Sequence, residues 1–452
     1  MVKIKKFLRD NYISISFFAV IFAIEIYFYT CAGDESVLYT QFLENYGSLN
    51  IKTFFVYLYD KSVGDFFGWS SRVLINLFSN AMVLLPNVWK IFNALLYAFM
   101  LKNVSEIFDL KEKHEQIFVA FLIFLIPNKM YLTAGWLVTS VAYFWPVAIL
   151  SYMFNVMKNR KYKDNRWHLV GLFLSTVYVA NEEIICIFLL VAIYIYIWNN
   201  KDQIKIGLGM EFIVICEILW IFLCPGNTSR AATEMAVRFC DFDKLTIIKK
   251  MEMGFTATMN QTWLKFSPLI ITFTLILFIF AIYKNGSILK SLWIAIPFIC
   301  SCLGYFIQIT ANTYYISEKL YNSEGSYGSI SIYNYSCLSS YIPLLFYICI
   351  GGYILIIIMN VFDYNKLGIS LAAVLLWAVA TRCVMGFSPT IWVSSERTFT
   401  LLYTVIFMII IFFWKKINNK SYSMIYMFNI VMCIMTVYEV GLFFKCLQEE
   451  RK

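Results

Sequence analysis

Apolar runs of about 20 residues recur along the whole chain, and a run of that length crosses the hydrocarbon core of a bilayer as a helix. Of the 452 residues, 60% are hydrophobic and 14% are charged, whereas soluble domains carry about 25% charged residues. The aromatic content of 19% excludes a disordered chain. We therefore predict an all-α, polytopic transmembrane helix bundle that occupies residues 1–452 as a single integral membrane domain.

Turn residues and charges separate about thirteen predicted spans. The first, at residues 12–30, is interpreted as an uncleaved helix because no small-residue cleavage site follows it. The apolar stretch Arg72–Leu85 is shorter, and it predicts an interfacial helix or a kinked beginning of the next span, broken at Pro86. The other spans are predicted at 87–103, 116–128, 140–157, 167–180, 184–199, 206–223, 264–283, 290–309, 335–360, 368–386, 399–414 and 422–444.

The lysines and arginines predict how the bundle is oriented. Seven segments hold more than half of the 37 lysines and arginines, and the positive-inside rule places them and the N-terminus in the cytoplasm of a cell membrane. An odd number of spans then puts the C-terminus outside. The net charge of +9 is thus a topology signal, and no nucleic-acid partner is predicted. The basic segments are 1–10, 102–115, 158–166, 199–206, 284–290, 362–367 and 415–420.

The longer connections are predicted on the outer face. Residues 31–86 form the first outer loop with its interfacial helix, and residues 224–263 and 310–334 form larger outer loops. The twelve cysteines include no C-x-x-C pattern, so we predict neither a metal site nor another cofactor. The absence of an internal repeat removes the inverted-repeat signal of secondary transporters.

Acidic residues are the candidate bases on the outer side. Both histidines, His114 and His168, fall in or near cytoplasmic segments, which leaves carboxylates for general-base chemistry outside. Asp34 and Glu35 follow the first span directly, where partial desolvation raises a carboxyl pKa towards the useful range. Adjacent residues on a helix point about 100° apart, so only one of the two is expected to serve as the base. A hydrated helix end is the alternative interpretation.

Arginines, aromatic residues and a second acidic pair fall on the same predicted face. Arginine binds phosphate through its planar guanidinium, although Arg72 also has the alternative of capping a helix or pairing with Asp34 or Glu35. The aromatic residues suit stacking on a sugar, with an interfacial belt as the alternative. The candidate phosphate ligands are Arg72, Arg230, Arg382 and Arg397, and the candidate sugar or acceptor ligands are Trp69, Trp136, Tyr143, Trp145, Asn181, Glu182 and Glu183.

These features resemble the GT-C superfamily of membrane glycosyltransferases. About thirteen spans, a cytoplasmic N-terminus and an acidic pair after the first span are shared with that superfamily. More narrowly, the chain is similar to a bacterial group of GT-C-like proteins, the DUF6056 family. The matching pieces are Gly33-Asp-Glu35, Trp69-Ser-Ser-Arg72, Gly135-Trp136, Tyr143-Phe-Trp-Pro146, Glu182-Glu183, Pro225-Gly-Asn-Thr-Ser-Arg230, Ser388-Pro389 and Arg397.

The resemblance implies transfer of a sugar from a polyprenyl-phosphate carrier to a glycan or glycolipid acceptor outside the cytoplasm. It also implies inverting chemistry, with Asp34 or Glu35 as the general base and Arg72, Arg230, Arg382 and Arg397 holding the lipid phosphate. The chain departs from many GT-C enzymes at its end, because the last predicted span reaches Phe444 and leaves no outer domain for acceptor binding.

Two other functions fit parts of the same pattern. A polysaccharide polymerase or ligase would use a polyprenyl-diphosphate-linked donor and a catalytic centre of arginines in large outer loops. A lipid or oligosaccharide flippase would need polar residues along a route to both faces, whereas the polar residues inside the spans lie mostly in the outer half. Both alternatives remain open from the sequence.

Overall fold

The computed structural model describes residues 2–310, 330, 336–418 and 422–450, and the regular elements within these residues are helices. Helices satisfy every backbone hydrogen bond within one segment, which is what a bilayer demands. Along the first half of the chain they are α1 (Val2–Phe28), α2 (Asp34–Tyr46), α3 (Ile51–Gly68), α4 (Val73–Leu84), α5 (Pro86–Ile107), α6 (Lys113–Ile123), α7 (Trp136–Thr139), α8 (Trp145–Lys158), α9 (Trp167–Ala180), α10 (Glu183–Asn199), α11 (Ile204–Leu223) and α12 (Pro225–Arg238).

Eight further helices complete the described part of the chain. Short 3-10 turns join several of them, and a π-helical turn at Ser140–Phe144 joins α7 to α8. The helices are α13 (Ile247–Trp263), α14 (Pro268–Asn285), α15 (Ile288–Ser291), α16 (Ile296–Thr310), α17 (Ile342–Val361), α18 (Lys366–Cys383), α19 (Thr400–Asn418) and α20 (Tyr422–Glu450).

Within the described ranges, eight helical segments are long and apolar enough to cross a membrane. Many of their large apolar side chains are exposed, among them Phe212 and Phe222 on α11, as expected for a surface that faces lipid. The chain is therefore an α-helical membrane protein. The segments are Asn11–Phe28, Trp136–Lys158, Lys201–Leu223, Pro268–Asn285, Leu338–Val361, Lys366–Phe387, Glu396–Ile417 and Tyr426–Glu449.

The other five predicted spans fall on helices that do not meet this criterion. Three coincide with shorter apolar helices, at Trp167–Ala180, Glu183–Asn199 and Ile288–Gly304. The remaining two coincide with α5 and α6, where α6 has 11 residues and α5 carries buried asparagines such as Asn93. The count of thirteen thus stays a prediction beside the eight segments that length and composition support.

The chain divides into two compact units. The first contains Met1–Arg230, Glu396–Leu401 and Val437–Lys452, and the second contains Ala231–Ser395 and Leu402–Thr436. Two compact units can belong to one membrane domain, so the single domain predicted from the sequence stays a prediction.

The core of the first unit is built around α5. This helix packs between α1 and α8, where the Trp145 indole donates to Asn93 at 2.9 Å and the Asn93 amide donates to Glu25 at 2.6 Å. The rings of Tyr97 and Phe144 stack with centroids 3.9 Å apart. Buried polar groups that pair with one another in this way fix how neighbouring helices face each other.

The core of the second unit is built around α14, most of whose side chains are buried. Its Phe280 packs against Phe362 and Phe413, with ring centroids 5.7 and 4.9 Å away. A separate apolar cluster of Phe239, Met253 and neighbouring residues joins α12, α13 and the loop after α18.

The predicted outer segments are helical where they are described. Residues 31–86 fold into α2, α3 and α4, and α4 ends at Leu84, two positions before Pro86, where α5 begins. Residues 224–263 contain α12 and α13. Of the predicted loop 310–334, residues 310 and 330 alone belong to the described ranges.

Three of the basic segments meet at one end of α9 and α10. Arg160 pairs with Asp202 at 2.8 Å, and Lys161 pairs with Glu106, which joins segments 158–166, 199–206 and 102–115. The turn between α9 and α10 lies at the other end of both helices. The structure thus brings these three basic segments together at one end of the helices, as their charges predicted. The direction of the bundle across the membrane stays a prediction.

We expect residue 160 to face the cytoplasm. In a background whose accessible cysteines are replaced by serine, an Arg160→Cys variant in intact cells should resist a membrane-impermeant maleimide. A Glu44→Cys variant on α2 is the matched control and should react. Labelling of position 160 but not of position 44 would reverse the orientation.

Candidate functional site

The acidic pair after α1 is divided between two environments. Glu35 is fully buried, and its carboxylate accepts hydrogen bonds from the Leu137 N–H at 2.5 Å and from the Tyr29 hydroxyl at 2.7 Å. Asp34 is exposed at the first turn of α2. Glu35 therefore serves as a helix cap for α7, whereas the Asp34 carboxylate is accessible.

Two glycines allow this contact. Gly33 has φ of 59° and Gly135 has φ of 105°, a region that disfavours residues with a Cβ atom. A Cβ at Gly135 would lie 2.7 Å from Glu35 Cγ, and one at Gly33 would lie 2.9 Å from the Ala134 backbone. The Gly33-Asp-Glu35 and Gly135-Trp136 motifs are thus two sides of one close contact.

Asp34 opens onto a cavity of about 760 Å³ between α2, α3 and α4. A volume of this size accommodates a ligand rather than isolated water molecules. Trp69, which is 44% exposed, lies on its wall. The polar side chains that line the cavity are Asp34, Gln41, Asn45, Tyr46, Tyr57, Asp60, Lys61, Asp65, Asn76, Ser79 and Asn80.

The two other aspartates of the cavity differ in their partners. Asp65 is buried, pairs with Lys61 at 3.3 Å and accepts from the Asn76 amide at 3.0 Å. Burial raises the pKa of Asp65, and Lys61 opposes that shift. Asp60 is exposed and accepts from the Tyr46 hydroxyl at 2.9 Å. Asp60 and Asp34 are therefore the accessible carboxylates of this cavity.

The loop from α3 to α4 is held by three distant segments. The Ser71 N–H donates to Asn227 at 3.1 Å, and the Ser71 carbonyl accepts from the Trp220 indole at 3.0 Å. Asn181 Oδ1 accepts from the first backbone N–H groups of α4, including Leu74 at 3.1 Å. Residues that are more than 100 positions apart thus fix the backbone on both sides of Arg72.

Arg72 and Arg230 share a carboxylate in the same region. Arg72 lies 3.9 Å from Glu183 and 4.0 Å from Glu182, and Arg230 lies 3.4 Å from Glu183. The Tyr143 hydroxyl lies beside the Arg72 guanidinium. The structure therefore joins the Trp69-Ser-Ser-Arg72, Asn181-Glu-Glu183 and Pro225–Arg230 motifs in one cluster, which we call the arginine cluster. Arg72 finds its carboxylates in the second acidic pair rather than in Asp34 or Glu35.

The two glutamates of the arginine cluster differ in proton affinity. Burial raises the pKa of Glu182 to about 7, with Arg72 opposing the shift. The side chain of Glu183 is 28% exposed, and Arg72 and Arg230 together lower its pKa against the opposing effect of desolvation. Glu183, which both guanidinium groups contact, is therefore the more acidic of the two glutamates.

The predicted sugar-binding aromatic residues occupy different environments. Trp69 lies on the wall of the cavity, and Tyr143 lies beside Arg72 in the arginine cluster. Trp136 is 6% exposed and packs edge-on against Trp89 with centroids 5.7 Å apart, and Trp145 is buried with its indole on Asn93. Packing of the helix core thus accounts for Trp136 and Trp145, whereas Trp69 keeps an exposed ring and Tyr143 is half-buried.

The last two arginines lie outside the arginine cluster. Arg397 belongs to the first unit, where the neighbouring Glu396 pairs with Lys129 at 3.6 Å. Its Nε is buried and has no hydrogen-bond partner among the described residues. Arg382 belongs to the second unit, in the last turn of α18, and is 3% exposed.

Several residues of the site were not predicted individually. Ser71, Trp220 and Asn227 act through long-range hydrogen bonds, and Tyr57 and Asp60 lie within the predicted first outer loop, for which no residue-level signal was noted. Ser71 and Asn227 lie within the Trp69-Ser-Ser-Arg72 and Pro225–Arg230 motifs, and these motifs were the sequence signal that could have identified them. Among the described residues, no three His, Cys, Asp or Glu side chains are grouped to hold a metal ion.

Comparisons with protein-family models, with curated proteins and with solved structures found no match to this chain.

Proposed function

We propose that this membrane protein is a GT-C-like glycosyltransferase that moves a sugar from a polyprenyl phosphate to a cell-surface glycan or glycolipid on the extracytoplasmic face. The observation that carries the proposal is the division of the first acidic pair. Glu35 is buried as a helix cap, and Asp34 presents its carboxylate to a ligand-sized cavity. A free carboxylate at the end of the first span is the group that such a transferase needs as a base.

The chemistry assigned to Asp34 is removal of a proton from the acceptor hydroxyl. The resulting oxygen attacks the anomeric carbon of the donor sugar from the face opposite the phosphate, and the bond from that carbon to the phosphate oxygen breaks. The configuration inverts, the proton stays on Asp34, and the lipid phosphate leaves with the bonding electrons. No metal or other cofactor takes part in this scheme.

The departing phosphate needs positive charge nearby, and the arginine cluster is the candidate source. Arg72 Nε is buried and makes no hydrogen bond with a described residue, since its ion pair with Glu183 spans 3.9 Å. Arginine offers paired N–H donors that match phosphate oxygens and cannot lose its charge at neutral pH. Preorganised charge of this kind stabilises a developing anion.

Replacing either arginine of the cluster should weaken donor binding. We expect Arg230→Ala to raise the dissociation constant for a polyprenyl-phosphate sugar roughly tenfold or more, because charge-assisted hydrogen bonds contribute about 1.5–3 kcal/mol. Arg230→Lys should restore binding in part because the planar fork is lost. The measurement is equilibrium binding of a radiolabelled donor to purified protein.

Arg238→Ala is the matched control for that experiment, because Arg238 lies on the same helix and pairs with Glu234 rather than with the cluster. Arg382→Ala and Arg397→Ala test the other predicted phosphate ligands in the same assay. Wild-type affinity in the Arg72 and Arg230 variants would remove the cluster from the donor site.

The decisive test of the proposed function is incubation of purified protein with labelled polyprenyl-phosphate sugars and a mixture of cell-surface glycans. We expect release of free polyprenyl phosphate that depends on the acceptor. Release of polyprenyl diphosphate from diphosphate-linked donors alone would favour the polymerase or ligase. Movement of intact donor across vesicle bilayers without release would favour the flippase.

A further inference from the structure

Helix α3 exposes a line of apolar side chains along its whole length. With four charged residues among its 18, it is not one of the described segments that could cross a membrane. Every fourth residue is nevertheless apolar and between 41% and 81% exposed, and we call these residues the α3 stripe. They are Ile51, Phe55, Tyr59, Val63 and Phe67. An apolar surface of this kind marks contact with a membrane or with another protein.

The α3 stripe lies opposite the face of α3 that lines the cavity. At about 100° per residue, the stripe covers about 160° of the helix. The α3 residues on the cavity lining fall in the other half, and they are Tyr57, Asp60, Lys61, Gly64, Asp65 and Gly68. Tyr57 and Leu58 also pack against Phe42 of α2 and Leu84 of α4. One face of α3 is therefore held by protein, and the apolar face is left exposed.

The C-terminal end of α3 is fixed to the end of α11, which belongs to a segment long and apolar enough to cross the membrane. The rings of Phe66 and Trp220 have centroids 4.6 Å apart, and the Cys224 thiol donates to the Phe66 carbonyl at 3.1 Å. A Cβ atom on Gly226 would lie 2.6 Å from the backbone carbonyl oxygen of Asp65, so α12 begins directly against the last turn of α3. These contacts place the end of α3 at the level where α11 leaves the hydrocarbon.

The exposed apolar surface of α11 continues onto the α3 stripe. Phe222 and Leu223, at the end of α11, are largely exposed, as expected for side chains that face lipid. The rings of Phe67, Phe66 and Trp220 contact one another in series, with centroids 5.1 and 4.6 Å apart, and Phe67 and Trp220 are both exposed. The stripe is thus continuous with a surface that contacts the bilayer, which favours lipid over a protein partner.

We propose that α3 lies in the plane of the membrane–water interface and that the α3 stripe packs among the acyl chains of the bilayer lipids. Amphipathic helices of this kind bury their apolar face about 5–10 Å into the boundary between headgroups and acyl chains. Lys52 reaches the headgroups through its long apolar stem. α3 then forms the wall between the lipid and the cavity, and its contact with lipid does not require the proposed transfer reaction.

This assignment moves the interfacial helix along the chain. The sequence predicted such a helix, or a kinked beginning of the next span, at Arg72–Leu85. The helix in that range is α4, which the structure describes in full and which exposes Phe78 alone among its large apolar side chains. The exposed face that an interfacial helix needs belongs to α3.

The test is spin labelling of the full-length protein in vesicles of phosphatidylcholine and phosphatidylglycerol. Ile51→Cys, Tyr59→Cys and Phe67→Cys each receive a nitroxide in a background whose accessible cysteines are replaced by serine. Collisions with oxygen, which concentrates in lipid, and with a water-soluble nickel chelate give the depth of each label. We expect the same depth of about 5–10 Å at all three positions. A helix along the membrane normal would instead separate the labels at 51 and 67 by about 24 Å.

Two control labels bracket the result. Leu219→Cys on the exposed surface of α11 should collide mainly with oxygen, and Glu44→Cys on α2 should collide mainly with nickel. Stripe labels that match the Glu44 control would show that the stripe faces water, which overturns the proposal. Shielding from both reagents would show that a protein surface, such as a second copy of the chain, covers the stripe, and this also overturns it. A steady change of depth along α3 overturns the in-plane orientation.

Discussion

Asp34→Asn should abolish sugar transfer while leaving donor binding and folding nearly unchanged. The asparagine has the same shape and still forms hydrogen bonds, but it cannot accept the proton of the acceptor hydroxyl. Loss of a general base typically costs ~10²–10⁴ in rate. The exposed position of Asp34 at the first turn of α2 means that no buried partner is lost with the charge. The measurement is the rate of polyprenyl-phosphate release under saturating donor.

The control for Asp34→Asn is Glu44→Gln, which neutralises another exposed carboxylate of the same helix. Its transfer rate should equal that of the wild type. If Asp34→Asn transferred sugar at the wild-type rate, Asp34 would not be the base. Glu182, whose burial raises its pKa to about 7, would then be the next carboxylate to replace.

Glu35→Ala should destabilise the protein strongly. The change leaves the Leu137 N–H and the Tyr29 hydroxyl without their shared carboxylate acceptor in a buried site. Each unsatisfied buried group costs about 1–3 kcal/mol, so we expect a loss of roughly 2–5 kcal/mol in the free energy of unfolding. Thermal unfolding in detergent, followed by tryptophan fluorescence, should show a clearly lower melting temperature.

Two further variants separate the cap from the charge. Glu35→Gln keeps one oxygen for Leu137 and should be less destabilised than Glu35→Ala. Glu44→Ala changes an exposed residue of the same helix and should stay within about 0.5 kcal/mol of the wild type. A wild-type melting temperature for Glu35→Ala would show that the contact between α2 and α7 does not depend on this carboxylate.

The different directions of Asp34 and Glu35 were predictable from helix geometry, because neighbours on a helix cannot face the same cavity. The partner of Glu35 was not predictable. Leu137 lies 102 residues further along the chain, and a single sequence contains no information that links the two positions. The same limit applies to Arg72, whose two carboxylates come from the turn between α9 and α10.

Helix class and membrane character followed from apolar runs alone, since the bilayer leaves few other structures. The count of spans was harder to derive, because α5 mixes apolar residues with Asn93 and Asn103, which are buried against other helices. Aromatic roles were ambiguous for a related reason. Trp69 and Trp136 look alike in sequence, and tertiary packing alone makes one accessible and the other buried.

The hydrogen bonds that hold the Ser71 backbone have a consequence for how the proposed substrates bind. Trp69 on the cavity wall and Arg72 in the arginine cluster are separated by two residues, and Asn181, Trp220 and Asn227 hold the backbone between them. Because this backbone is held in place, movement of the Arg72 side chain towards the proposed donor is not passed on to Trp69. We therefore expect the two proposed substrates to bind in either order, so that saturation with the donor leaves the dissociation constant of the acceptor unchanged.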